Sequence, residues 1–427
     1  MRFLFITFFL IGQIVMAATI ESIEVKGVKI PLIFEKDTRL PLVNTQIIFT
    51  NSGSITDVKK AGLARFSAKM LNEGTLEMGA NGFAEMLESK AIHMSASTGS
   101  ETFVLEMGSL NEQFAKSVQY LTMLLREPNF TERSLEKVKT MTMGAIKSKE
   151  NDFDYVATNE LKKLLFDGTV LAQPAAGTLS SVQSITLDDV KHFTKEHLVL
   201  SRAIVVVGGD ISLATLKKEI TKALEVLPVG KAEALPHFEA SSAAKEGVVK
   251  RETEQAYIYF GSPYNMAVND EDYYKARVAT FILGTGGFGS RLMEEIRVKR
   301  GLAYSAYARV HVSKSVSYLS GYLQTKIETQ KEAKDTVKAV FEKFVKEGVT
   351  QEELDQTKRF LLGSEPLRVE TMSQRLNRTF MDYYKGFPLD HSQKELKKIE
   401  NLKLKDLNAF IKSHKEILKL SFAIVTK

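Results

Sequence analysis

The sequence runs through one order of elements twice, which limits the chain to folds that pair two similar halves. In the first half, Thr45-Gln46-Ile47-Ile48-Phe49 is rich in β-branched and aromatic residues and predicts a strand; Ala256-Tyr257-Ile258-Tyr259-Phe260 predicts its counterpart in the second. A helix follows each strand. In the second half its apolar stripe is Tyr274, Val278, Phe281 and Ile282, the i, i+4, i+7, i+8 spacing of one helical face. Later in each half a helix starts in the same way, at Thr131-Glu132-Arg133-Ser134-Leu135 and at Thr350-Gln351-Glu352-Glu353-Leu354. Thr stands at the N-cap, and acidic or amide groups in the first turn answer free N–H groups and the helix dipole. Each half closes with a short helix and a strand. Leu187-Asp188-Asp189-Val190 precedes Ala203-Ile204-Val205-Val206-Val207, and Leu404-Lys405-Asp406-Leu407 precedes Phe422-Ala423-Ile424-Val425. Agreement in order and rough spacing marks an internal duplication.

Residues 227–247 are rich in Ala, Ser, Gly, Pro and charges, with Pro228, Pro236 and the run Ala240-Ser241-Ser242-Ala243-Ala244, a composition expected of a linker. The expected domains are therefore residues 18–226 and 248–427. Strands first and last with helices between predict α+β halves with antiparallel pairing. Strand order is not fixed by sequence.

Residues 1–17 predict a signal peptide. Arg2 supplies the positive start, Phe3 to Met16 an apolar stretch too short to span a bilayer, and Val15-Met16-Ala17 small residues before a cut. An exported chain, periplasmic or secreted, is expected, beginning at Ala18. It has no cysteine, so core packing and not disulfides must hold it together. No later segment offers about 18 unbroken apolar residues, so no membrane association is expected after cleavage. The net charge of +6 comes without a basic arm or an RNA-binding pattern, which argues against nucleic acid.

Two motifs lose to simpler readings. Gly284-Thr285-Gly286-Gly287-Phe288-Gly289 fits G-x-G-x-x-G, but a dinucleotide loop must follow a strand, and Tyr274 to Leu283 reads as a helix. A flexible or substrate-touching loop suits it better, with Gly286, Gly287 and Gly289 allowing close backbone approach. His192 and His197 are five residues apart, whereas two zinc ligands on one helix face stand four apart. His93 lies alone in a strand-like stretch.

Ala61-Gly62-Leu63-Ala64-Arg65-Phe66-Ser67-Ala68-Lys69-Met70-Leu71-Asn72-Glu73-Gly74-Thr75 resembles the zinc-helix segment of the pitrilysin/insulinase peptidase family, G-L-A-H-F-x-E-H-M-L-x-x-G-T. The frame matches at Gly62, Leu63, Ala64, Phe66, Met70, Leu71, Gly74 and Thr75. The chemistry differs: Arg65 and Lys69 stand at the two His positions and Ala68 at the general-base Glu. At the family's third ligand the best-aligned residue is Ala145, with Glu150 nearby. One carboxylate beside two cations cannot make a catalytic zinc site, which takes three neutral or anionic ligands and a water.

In the second half, Leu283-Gly284 through Gly289-Ser290-Arg291-Leu292-Met293-Glu294-Glu295-Ile296-Arg297-Val298-Lys299-Arg300-Gly301-Leu302-Ala303-Tyr304-Ser305 resembles the family's L-G-G-G-x-S-S-R-L-x-x-E-L-R-x-x-x-G-L-A-Y-S segment. The resemblance implies that Arg297 and Tyr304 face substrate, Arg297 offering planar donors to a peptide carbonyl and Tyr304 a hydrogen bond to the oxyanion. The plain alternative is a helix-surface Arg297 near Glu294 and a packed Tyr304 ring. The likeness spans essentially the whole mature chain. It implies two homologous α/β-roll domains forming a half-clamp, no cofactor in this chain, and a zinc-bearing homologous subunit as partner in handling peptides. A structural or binding subunit with no part in proteolysis is the alternative. No Ser/His/Asp or Cys/His spacing recommends a separate active site.

Overall fold

In a computed structural model of the chain, residues 18–427 are described, and the expected leader lies outside them. The first sheet is built from β1 (Thr19–Val25), β2 (Val28–Lys36), β3 (Leu42–Thr50), β4 (His93–Thr98), β5 (Thr102–Leu110) and β6 (Ala203–Gly209), in the order β1-β2-β6-β3-β5-β4. The second takes β7 (Phe238–Glu239), β8 (Glu246–Lys250), β9 (Gln255–Pro263), β10 (Ala303–Val312), β11 (Val316–Lys326) and β12 (Ser421–Thr426), in the order β10-β11-β9-β12-β8, with β7 beside β11. Read in reverse, β8, β12, β9, β11 and β10 occupy the places of β2, β6, β3, β5 and β4. The repeated sequence order is a repeated topology.

The predicted strands Thr45–Phe49 and Ala256–Phe260 fall within β3 and β9. They do not open their halves, however. A hairpin precedes β3, turning at Lys26 and Gly27 with φ of 52° and 76°, the paired positive angles of a two-residue hairpin turn. The sheets are antiparallel-rich, as expected. The pairs β2–β6, β8–β12 and β7–β11 are parallel. β6 and β12 return to their sheets after long helical excursions, and such a crossover is what a parallel pair requires. The 227–247 stretch contributes β7 and the first residues of β8 to the second sheet.

The predicted helix starts are where the caps place them. Thr131 Oγ1 accepts from Ser134 N–H at 3.3 Å, and Thr350 and Glu353 form a reciprocal capping box. Each half packs its own helices on one face of its sheet, around Phe49, Phe103 and Leu216 in the first half and Phe260, Phe341 and Leu407 in the second. The opposite faces are covered by exchange. The Phe153–Phe166 helix, from the first half, packs on β9 and β12, burying Leu161, Leu165 and Phe166 with Val316 and Ala423. The Met372–Lys385 helix, from the second half, packs on β2 and β6, burying Leu376, Phe380 and Tyr384 with Ile33, Ile48, Ile204 and Val206. Every residue of β6 and β12 is thereby buried, as the unbroken apolar runs of strands covered on both faces require.

Polar bonds fasten the exchange. Glu101, in the β4–β5 turn, accepts from Ser315 N–H (2.8 Å), Ser315 Oγ (2.6 Å) and Tyr384 OH (2.8 Å). Glu35 on β2, 2% exposed, accepts from Arg375 Nε at 2.9 Å and Nη2 at 2.5 Å. Among the described residues no helix is long and apolar enough to cross a membrane.

Candidate functional site

The Leu63–Leu71 helix, whose sequence resembles a zinc helix, packs against β4 and the Glu132–Lys149 helix. Its start is fixed by Asp57, whose carboxylate accepts from Gly62 N–H at 3.0 Å and Ala64 N–H at 2.8 Å. Burial pushes the Asp57 carboxyl up to about 7 against the pull of those two bonds. The matching frame residues Ala64, Phe66, Met70 and Leu71 are buried, so their retention follows from packing alone.

At the altered positions, Arg65 is exposed, Ala68 is buried and Lys69 is half-buried. Lys69 Nζ donates to Thr142 Oγ1 at 2.9 Å. Burial, then the charge of Arg65, holds its ammonium below the usual lysine range. Ala145 is exposed less than one turn beyond Thr142 on the same helix, and the exposed Glu150 is that helix's C-cap. Thr142 is therefore the group facing Lys69. Its signal in the sequence is the buried stripe Val138, Thr142 and Ile146, spaced by four.

This donor set does not fit zinc. A guanidinium has no lone pair to give, and the chemistry around Lys69 is a hydroxyl and a second cation. Among the described residues no three or more His, Cys, Asp or Glu side chains gather as a metal site. Elemental analysis of tag-free protein is expected to find no stoichiometric zinc; about one ion per chain, lost on changing Glu150, would overturn this.

The structure brings Arg297 and Tyr304 together. The Tyr273–Thr280 helix runs into a wide turn, Phe281–Thr285, then a tight turn, Gly287–Gly289, and a second short helical stretch ending at Val298. Gly284 lies so close to β10 that a Cβ there would stand 2.4 Å from Ala308 N. Gly287 has φ of 60°, a left-handed angle that favours glycine. Gly286 and Gly289 flank it, and Phe288 at the tip is 66% exposed. Arg291 holds the segment down through two bonds to Glu353 (2.7 and 2.8 Å) and one to Gly348 O (2.8 Å).

The Arg297 guanidinium lies 4.5 Å from the Phe288 ring centre and 4.2 Å from that of Tyr304, a cation between two aromatic faces. Tyr304 is on edge strand β10 where the register slips between Ala303 and Ala306, and such a bulge re-aims side chains. It is 82% exposed. Of the plain alternative, Arg297 does lie on a helical stretch with Glu294 but makes no ion pair among the described residues, and the Tyr304 ring is not packed in the core. Phe288 is the member of the cluster that spacing did not point to; an aromatic residue inside a glycine loop is its only signal. Tyr304 also lines a recess of about 280 Å³ with Tyr322, Gln324 and Lys326, which shares no residue with the cavity beside Arg65.

The discarded motifs lie as expected. The glycine loop follows a helix. His192 pairs with Glu196 at 3.1 Å, while His197 stacks on Phe193 and reaches Asn51 O. His93 is exposed on β4.

Two topologically equivalent halves that exchange helices, with a metal-type helix lacking ligands in one and a stacked Arg/Tyr pair in the other, define a peptidase-like fold whose metal helix carries no zinc ligands. The chain belongs to the insulinase family of peptidases, family M16. The family profile described as Insulinase (Peptidase family M16) matches residues 43–179, and that described as Peptidase M16 inactive domain matches residues 184–361. A Helicobacter pylori protein named Non-peptidase homolog YmxG is 45% identical over 410 residues, 96% of this chain and 95% of its own. A Bacillus subtilis protein named Uncharacterized zinc protease YmxG is 25% identical over 319 residues, 74% of this chain and 76% of its own. In fold, the chain is similar to a peptidase M16 inactive domain from Pseudomonas fluorescens (TM-score 0.86, 24% identity, 95% of this chain and 98% of that one). It is similar also to a protease from Helicobacter pylori (TM-score 0.82, 18% identity, 96% and 100%). With Arg65, Ala68 and Lys69 at the metal and base positions, it is a non-peptidase homologue within the family.

Proposed function

We propose that this chain is the non-metal subunit of a two-chain zinc peptidase, presenting Arg297 and Tyr304 to a peptide whose cleavage depends on zinc in a homologous partner. The observation that carries this reading is the state of the pair: the two groups stack on each other, neither pairs with a carboxylate among the described residues, and the Tyr304 ring is open to solvent, while the chain's own metal helix is dismantled. A residue kept only for packing would not be 82% exposed on a bulged edge strand. Gly286, Gly287 and Gly289 would let a peptide backbone approach the same cluster.

The test is reconstitution. Mixed with a homologue carrying an intact H-x-x-E-H helix, the chain is expected to co-elute on size exclusion and to raise cleavage of a quenched peptide above that of either chain alone. Co-elution with no gain in cleavage would favour a structural subunit, and no co-elution would sink the pairing. We propose further that the protein is exported to a periplasm or beyond; N-terminal sequencing of the mature protein should begin at Ala18, and an intact Met1 in a membrane pellet would count against it.

A further inference from the structure

Beside the Leu63–Leu71 helix a cavity of about 340 Å³ opens between the two halves. Its walls include Arg65 from that helix, Lys162 and Phe166 from the exchanged Phe153–Phe166 helix, and Val316 and Tyr318 from β11. Its size is within the range of small-ligand pockets.

Its charge is one-sided. Lys162 makes no ion pair or hydrogen bond among the described residues, and withdrawal from water alone holds its ammonium below the usual range. Arg65 likewise has no carboxylate partner among them, and its charge is felt by Lys69 one turn on. Arg309 on β10 reaches only the His311 ring, at 3.1 Å. That ring stacks on Tyr318 at 4.5 Å and is pushed down to about 4 by burial, then by Arg309 and Lys162, so it is neutral near pH 7. The carboxylate at the cavity, Asp57, is already engaged by Gly62 and Ala64 N–H groups. Two cations, Lys162 and Arg65, thus line the cavity, and its carboxylate, Asp57, is held by backbone N–H groups. A cation withdrawn from water without a partner is costly, and such groups mark sites where a partner arrives from outside. From Tyr318 the same face of the sheet continues through Tyr322, stacked with Tyr259 at 5.5 Å and edge-on to Tyr307 at 4.5 Å.

We propose that this cavity binds a side-chain carboxylate of an acidic peptide segment, with Lys162 and Arg65 as its counter-charges and the tyrosine row beneath the adjoining residues. The inference rests on the peptide-handling reading above and names the class of peptide. A carboxylate in the cavity would exchange an unpaired ammonium for charge-assisted hydrogen bonds, the stronger kind.

The probe is a fluorescein-labelled nonapeptide with a central Glu-Glu pair, set against its Gln-Gln counterpart and titrated with the mature chain alone at low salt. The Glu peptide is expected to bind about tenfold tighter or better, an advantage that salt erodes. Lys162→Met removes an unpaired, half-buried charge, so its melting temperature should hold or rise while the preference for Glu falls about tenfold. Arg65→Gln, at an exposed position that leaves folding alone, should reduce the preference in part. Lys195→Met, an exposed change of equal charge on the Leu187–His197 helix, should leave it as it was. Equal binding of the two peptides, or full preference in Lys162→Met and Arg65→Gln, overturns the proposal, as does an equal loss in Lys195→Met. No zinc subunit is present, so a failed acid preference is read separately from a failed pairing.

Discussion

In a complex reconstituted with a zinc-bearing homologue, Tyr304→Phe should lower kcat by about 10²–10³-fold, the usual loss when one donor to a developing oxyanion is removed. The ring would stay in place, because its stacking on Arg297 at 4.2 Å involves the aromatic face and not the hydroxyl. Only the O–H is lost, and it has no hydrogen-bond partner among the described residues that the change would orphan. Arg297→Ala should act first on KM, through a lost contact to a peptide carbonyl. Since its guanidinium is also the plane between Phe288 and Tyr304, part of the loss should carry into kcat. Arg297→Lys keeps the charge without the planar fork and should recover little of either. Size exclusion of the mixed chains should be unchanged in all three. Variants that cleave like the parent would leave this chain a structural subunit, and variants that fail to pair would make these residues part of the contact.

Arg375→Ala should destabilise the chain by about 3–5 kcal/mol, the cost of leaving a buried charge without its partner. Glu35 is 2% exposed and takes both guanidinium bonds on Oε1, and Oε2 has no partner among the described residues. Arg375 also donates to the carbonyls of Val369 and Glu370, fixing the entry to the exchanged helix. Because that helix covers the first sheet while belonging to the second half, the loss should appear in urea as an earlier but still single transition. The double change Glu35→Met with Arg375→Met should recover much of the stability, since apolar pairs of similar volume replace buried ion pairs well. An Arg375→Ala midpoint within about 0.5 kcal/mol of the parent, the range of ordinary surface changes, would show that the pair does not hold the halves together.

What the sequence determined by itself was local or repetitive. Thr131 and Thr350 announced their helices because capping is settled within four residues, and Ala203–Val207 and Phe422–Val425 announced strands through their β-branched apolar runs. The duplication told of two equivalent sheets, and Arg65, Ala68 and Lys69 told of a metal helix without ligands, since side-chain chemistry needs no coordinates. The tertiary structure decided what depends on partners far along the chain. No local pattern says which element covers the second face of β6, and the answer, a helix some 170 residues later, comes only from the packing of Leu376, Phe380 and Tyr384. The parallel return of β6 and β12 was hidden because strand direction is set by the crossover and not by the strand. Arg297 and Tyr304 were legible as a pair, but Phe288 completing the stack, Thr142 meeting Lys69, and Arg65 sharing a cavity with Lys162 arise where separate elements meet, and sequence spacing carries no distance between those.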